Sequence, residues 1–171
     1  MRSKVMTKQQ KTYGFVDASN IIYGAKAESW FIDQKKLFDY IKRKFKTRKI
    51  FFYFGKDEKN NKQTKFLKKL ESFGYTLRVK QIKRYGKRQK ANCDVDLTMD
   101  MLLLKDNYER AVVLTGDGDF FPLFEYLKKQ GKDIIIIAFA RRTARELKRF
   151  AGPRFIGLSN ERYFLERKPK K

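Results

Sequence analysis

Short apolar runs recur along this chain, separated by amphipathic helical stretches, and that alternation restricts the fold more than any other feature. The runs KIFFYF at 49–54, AVVL at 111–114 and DIIIIAF at 133–139 are short and dense in β-branched and aromatic residues, as buried strands are. Further strands are expected at 13–17, at 76–82, where basic residues weaken the alternation, and near 154–158. Between the first two strands, Leu37, Phe38, Ile41 and Phe45 are spaced three and four apart behind Asp33, a residue suited to cap a helix. Phe66, Leu67, Leu70 and Phe73 mark a second helix, which Gly74 is placed to end. Helices are also expected over 94–106, 121–130 and 143–150, whereas the segment after Asn20, with Tyr23 and Trp30, reads as a loop. Strands alternating with helices build a parallel sheet. The expected class is therefore α/β, a three-layer α/β/α arrangement of Rossmann type with a mainly parallel central sheet.

The length of 171 residues suits one domain with a sizeable core. That domain is expected over 13–160, between a basic N-terminal extension at 1–12 and a basic C-terminal tail at 161–171. No apolar run approaches the roughly 18 residues of a membrane span. The opening MRSKVMTKQQKT is basic and polar, without the apolar core of a secretory signal. A lone Cys93 rules out an intramolecular disulfide and suits a reducing compartment. The expectation is a cytoplasmic protein with no membrane partner.

Charge narrows the function. Forty-two Lys and Arg against nineteen Asp and Glu give a net charge of +23, a field that attracts polyanions. Nucleic acid is the expected partner. The chain contains no histidine, which excludes imidazole general-base mechanisms and, with a single cysteine, Cys/His zinc sites. Hydrolytic chemistry is left to carboxylates holding a hard cation.

Six of the eleven aspartates fall between Asp94 and Asp119. Asp17 closes the first strand, and Asp117 and Asp119 directly follow the strand AVVL. In an open parallel sheet, sites form beyond the carboxyl ends of strands, where strand order reverses. Asp94 begins a helix on that same side if the preceding crossover is right-handed. Carboxylates brought together repel one another, and a Mg²⁺ or Mn²⁺ ion relieves that repulsion. The same aspartates also fit local roles: Asp17 and Asp117 as helix caps or turn residues, Asp94 as an N-cap. Asp96 and Asp100 are four apart and share a helix face directed away from Asp94. The loop after Asp117-Gly118-Asp119 lacks the further acids of a calcium-binding helix-loop-helix.

From Arg78 to Lys90 the chain has seven basic residues and no acid. Lys83, Arg84, Lys87, Arg88 and Lys90 are candidate phosphate contacts, and Tyr85 a candidate stacking partner for an unpaired base. Arg141, Arg142 and Arg145 follow a strand end and are expected to face the site. The eight basic residues of 35–49 carry less weight, because the helix there needs a polar outer face in any case. Trp30 fits a core plug as readily as a cleft wall.

Three motifs stand in order at these positions: FVDASN at 15–20, KANCDVDL at 90–97 and TGDGDFFPL at 115–123. Together they resemble the NYN domains of the LabA-like group, within the PIN-like nuclease superfamily. Ala18 and Ala91 stand where glycine is usual, and Thr115 where serine is common. The resemblance implies a Mg²⁺ or Mn²⁺ ion held by Asp17, Asp94, Asp117 and Asp119, with Asn20 orienting water or substrate, and activity on RNA. Many relatives of this fold pair up, so a homodimer is compatible with the resemblance, while the residues themselves leave the oligomeric state open. The expected function is a metal-dependent ribonuclease hydrolysing RNA phosphodiester bonds. The alternative is an RNA-binding regulatory module without significant turnover. An aspartyl-nucleophile phosphatase fits less well, because Ser19 stands where a second aspartate is usual.

Overall fold

A computed structural model describes residues 10–57, 60–85, 88–90 and 93–168, with only the backbone over 83–85 and 88–90. The first strand, β1 (Thr12–Asp17), is buried at every position. Strand side chains alternate between faces, so Tyr13 and Phe15 enter one core while Val16 enters another. The same division holds in β2 (Lys49–Lys56), where Ile50 and Phe52 oppose Phe51 and Tyr53. It recurs in β6 (Arg110–Leu114) and β7 (Asp133–Ala138). A sheet buried on both faces needs a helical layer on each side.

Helices α1 (Ala18–Ala27), α2 (Gln34–Phe45) and α3 (Asn61–Phe73) supply one layer. Helices α4 (Asp94–Leu103), α5 (Phe121–Lys129) and α6 (Arg145–Ala151) supply the other. With β3 (Thr76–Gln81) and β8 (Phe155–Gly157), the sheet has six strands in the order β3-β2-β1-β6-β7-β8, parallel throughout. The three-layer α/β/α expectation holds. Strand order reverses between β1 and β6, which pair directly, so connections leave the two strands toward opposite faces. The caps expected at Asp33 and Gly74 are present: Asp33 Oδ1 accepts from the Lys35 and Lys36 amides, and Gly74 takes a left-handed φ of 105°.

Four expectations need correction. The segment after Asn20 is the helix α1, not a loop. The stretch expected as a loop before Asp94 contains an antiparallel hairpin, β4 (Lys83–Tyr85) with β5 (Arg88–Lys90). The helix expected to reach residue 106 ends at Leu103 and gives way to a 3-10 turn over 105–107. The tail expected from residue 161 folds back as α7 (Arg162–Leu165). Leu165 is fully buried there, and its carbonyl accepts from the Asp33 amide at 2.8 Å. One buried leucine beside the exposed Tyr163 and Phe164 is too little pattern to announce that docking. Among the described residues, no helix is long and apolar enough to cross a membrane.

Gly24 explains why α1 is hard to read. Glycine inside a helix costs about 1 kcal/mol relative to alanine, yet here a side chain has no room. A Cβ on Gly24 would overlap the ring of Phe139, with Cε2 at 2.7 Å. Phe139 is itself fixed by the edge of the buried Trp30, at 5.8 Å between centroids. We expect Gly24→Ala to destabilise the fold by about 1–3 kcal/mol despite its better helix propensity. A lower midpoint in urea unfolding checks this; a higher midpoint would contradict the packing.

Candidate functional site

Strand order reverses at the carboxyl ends of β1 and β6, and two segments meet there. Asp17 ends β1 and caps α1, with Oδ1 accepting from the Asn20 amide at 3.2 Å and from Ser19 Oγ at 2.8 Å. Its other oxygen, Oδ2, accepts from Thr115 Oγ1 at 3.1 Å, just beyond β6. Thr115 is fully buried and also accepts from the Asp117 amide at 3.3 Å. Asn20 completes the bridge: its Oδ1 accepts from the Gly116 amide at 3.0 Å. Asp17 is thereby held at 7% exposure.

Beyond the bridge, Asp117 caps a 3-10 turn (Gly118–Phe120), its Oδ1 accepting from the Asp119 amide at 3.0 Å. Asp117 is half-buried and Asp119 exposed. The turn packs against the segment that follows β7. The Ala144 amide donates to the Gly116 carbonyl at 3.0 Å, and a Cβ on Gly116 would lie 2.7 Å from Thr143 Oγ1. Only a residue without a side chain lets the two backbones approach this closely. Arg141 and Arg142 are exposed in the 3-10 turn (Ala140–Arg142) of that segment, and the Arg142 carbonyl borders Gly116. The backbone of Arg142 thus lies beside Gly116.

Asp94 heads α4 on the same side of the sheet. The half-buried Cys93 before it registers the local field: its thiol is pushed up to about 11, first by burial and then by the charge of Asp96, with smaller contributions from Asp17 and Asp94 and an opposing one from Lys80. Asp17 and the start of α4 are thus electrostatic neighbours. Among the described residues, no three His, Cys, Asp or Glu side chains stand close enough together to enclose a metal ion. The donors that face this end are carboxylate oxygens, hard ligands that match Mg²⁺ or Mn²⁺ in chemistry.

Asp96 and Asp100 have separate work. Asp96 accepts from Lys80 Nζ at 2.8 Å. Asp100 Oδ2 accepts from Arg78 Nε at 2.7 Å and from Tyr53 Oη at 2.9 Å. Burial and the Asp100 charge raise the pKa of Tyr53 well above its usual value, so it stays a donor. Arg78 and Lys80, counted in the sequence with the basic run, are therefore spent tying β3 to α4. That pairing joins residues on different elements, and no local spacing signals it. The proposed contacts at Lys83, Arg84, Tyr85, Arg88 and Lys90 rest on side chains outside the described residues, and Lys87 lies wholly outside them. Tyr23 is exposed on α1 beside a cavity, whereas Trp30 is a core plug.

Two expectations follow. Thr115→Val keeps the shape of the side chain but leaves Asp17 Oδ2 without its buried donor, at a cost of about 1–3 kcal/mol. Thr115→Ser should retain most of that stability, and chemical denaturation distinguishes the two. Cys93, with its pKa raised, stays a thiol through neutral pH. Its alkylation by iodoacetamide should be much slower at pH 8 than in the urea-unfolded chain and should accelerate only above about pH 10.

Comparison with known proteins extends this account. A family model described as the NYN domain matches residues 11–159. The chain is 31% identical over 162 residues to the low amplitude and bright protein LabA of Synechococcus elongatus, an alignment covering 90% of this chain and 86% of that relative. The crystal structure of a protein of unknown function from Vibrio parahaemolyticus shares the fold, with a TM-score of 0.79 at 22% identity over 96% of this chain and 99% of that one. The family match takes in Asp17, Asp94, Asp117 and Asp119 together, and the chain belongs to the NYN domain family, with a relative in LabA.

Proposed function

We propose that the chain is a metal-dependent ribonuclease that hydrolyses RNA phosphodiester bonds at the carboxyl ends of β1 and β6. Membership of the NYN family supports a nuclease-type, RNA-related role. The observation that carries the reading is the hydrogen-bonded bridge from Asp17 through Thr115 to Asp117 at the point of strand reversal, in a chain of net charge +23. Asp17, Asp94, Asp117 and Asp119 are the residues that would hold Mg²⁺ or Mn²⁺. The chemistry such a cation supplies is activation of water and neutralisation of charge on a phosphodiester.

The chain's own groups do the rest. Asn20 commits its carbonyl to Gly116, which directs its NH₂ group to the role of donor toward a phosphate oxygen or the attacking water. Arg141 and Arg142 hold the strand's phosphates at the rim. The basic stretch of sequence with Lys83, Arg84, Tyr85, Lys87, Arg88 and Lys90 extends that contact along the strand. A second reading, RNA binding without turnover, is favoured by the three hydrogen bonds that already occupy the Asp17 oxygens.

The two readings separate in one experiment. Wild type and Asp117→Asn, purified side by side, are given labelled single-stranded RNA with Mg²⁺, Mn²⁺ or EDTA. Cleavage should require metal and fall by more than about a hundredfold in the variant, while RNA binding in EDTA persists or tightens. Equal cleavage by both proteins defeats the mechanism. Metal-independent binding with no products establishes the second reading.

A further inference from the structure

We propose that a cavity beside Asp17, between α1, α2 and α3, receives an unpaired nucleobase of the RNA strand, so that the substrate is single-stranded at the point of cleavage. This rests on the ribonuclease reading above and adds a subsite to it. The cavity measures about 730 Å³, within the roughly 300–1,000 Å³ typical of small-molecule sites. It opens at the carboxyl end of β2, next to that of β1. Ser19 belongs to both places: it lines the cavity, and its hydroxyl donates to Asp17 Oδ1. A strand whose phosphate lies at Asp17 therefore has an adjacent base within reach of the opening.

The lining suits a flat, polar-edged ring. Tyr23 and Phe31 stand at the wall with 63% and 66% of their surface exposed. Neither ring is paired with another aromatic ring among the described residues, although most aromatic side chains here are, stacked or edge-on. Exposed aromatic faces of this kind are what unpaired bases stack on. Deeper in, Phe54 and Phe66 provide an apolar floor, 5.7 Å apart. Gln34 lines the same cavity, and its buried Oε1 has no hydrogen-bond partner. Buried polar atoms are rarely left so, and an amide offers both donor and acceptor to a base edge. Lys26 and Arg167, both exposed, supply positive charge on the lining for the flanking phosphates. A base paired within a duplex is stacked and cannot enter.

The test uses single-stranded oligoribonucleotides in which one abasic site is moved position by position along the strand, with binding measured in EDTA. Wild type should lose roughly tenfold in affinity when the abasic site sits at one particular position, as loss of one stacked base predicts. The double variant Tyr23→Ala/Phe31→Ala should bind the intact strand about tenfold more weakly, be indifferent to the abasic site, and keep the same salt dependence. A 2-aminopurine at the sensitive position should be quenched by wild type and not by the variant. Wild type that binds and cleaves yet discriminates against no abasic position overturns the pocket and leaves the ribonuclease reading standing. A double variant that folds and retains the full discrimination does the same. Wild type that neither binds nor cleaves RNA overturns both.

Discussion

At the carboxyl end of the sheet, β1 and β6 run side by side while their connections depart to opposite faces, so the seam between them is bridged by side chains and not by a continuing helix or strand. The amides that emerge there need acceptors. Thr115 Oγ1 takes the Asp117 amide, Asn20 Oδ1 takes the Gly116 amide, and Asp17 takes the amide of Asn20 while receiving the Thr115 hydroxyl. These bonds close the seam, and the positions of every candidate ligand after β6 depend on them. The capping and ligand readings of Asp117 are therefore not rivals. A carboxylate has about four acceptor sites, and the amide that caps Asp117 occupies one of them.

Much of the scaffold was legible because burial leaves a mark on composition. β2, β6 and β7 are covered on both faces, and each reads as an unbroken apolar run. α2 and α3 show their inner faces as residues three and four apart, with Asp33 and Gly74 marking boundaries. α1 escaped for a tertiary reason. Its Gly24 argues locally against a helix, and the cause of the glycine is Phe139, far along the chain just past the end of β7. α7 escaped because its one deep anchor, Leu165, has no periodic companions.

The candidate site was legible in outline, because the aspartates fall on strand ends that the apolar runs already define. Its support was not. Thr115 looks in the sequence like a minor departure where serine is common; in the structure its hydroxyl joins the two strands. The cavity beside Asp17 was equally hidden, since its walls come from α1, the end of β2, the start of α3 and Arg167. Proximity of that kind exists only after the sheet has formed.

The structure also divides the acids of a strongly basic chain into two groups. Asp96 and Asp100, one turn apart on α4, meet Lys80 and Arg78 on β3. An exposed pair such as Lys80–Asp96 contributes little to stability, but Arg78 is held more firmly, stacked 5.1 Å from the Phe51 ring while donating to Asp100. The consequence is positional. Pinning one face of α4 to the neighbouring strand fixes the direction in which its first turn points, and Asp94 stands in that turn. Acidic residues there also lie at the positive end of the helix dipole, which favours their charge. The basic residues of this end thus fall into two kinds: Arg78 and Lys80 are paired with acids of α4, whereas Arg141 and Arg142 are exposed in the turn after β7. The ion pairs of α4 fix which of its carboxylates are engaged and so how its first turn is set.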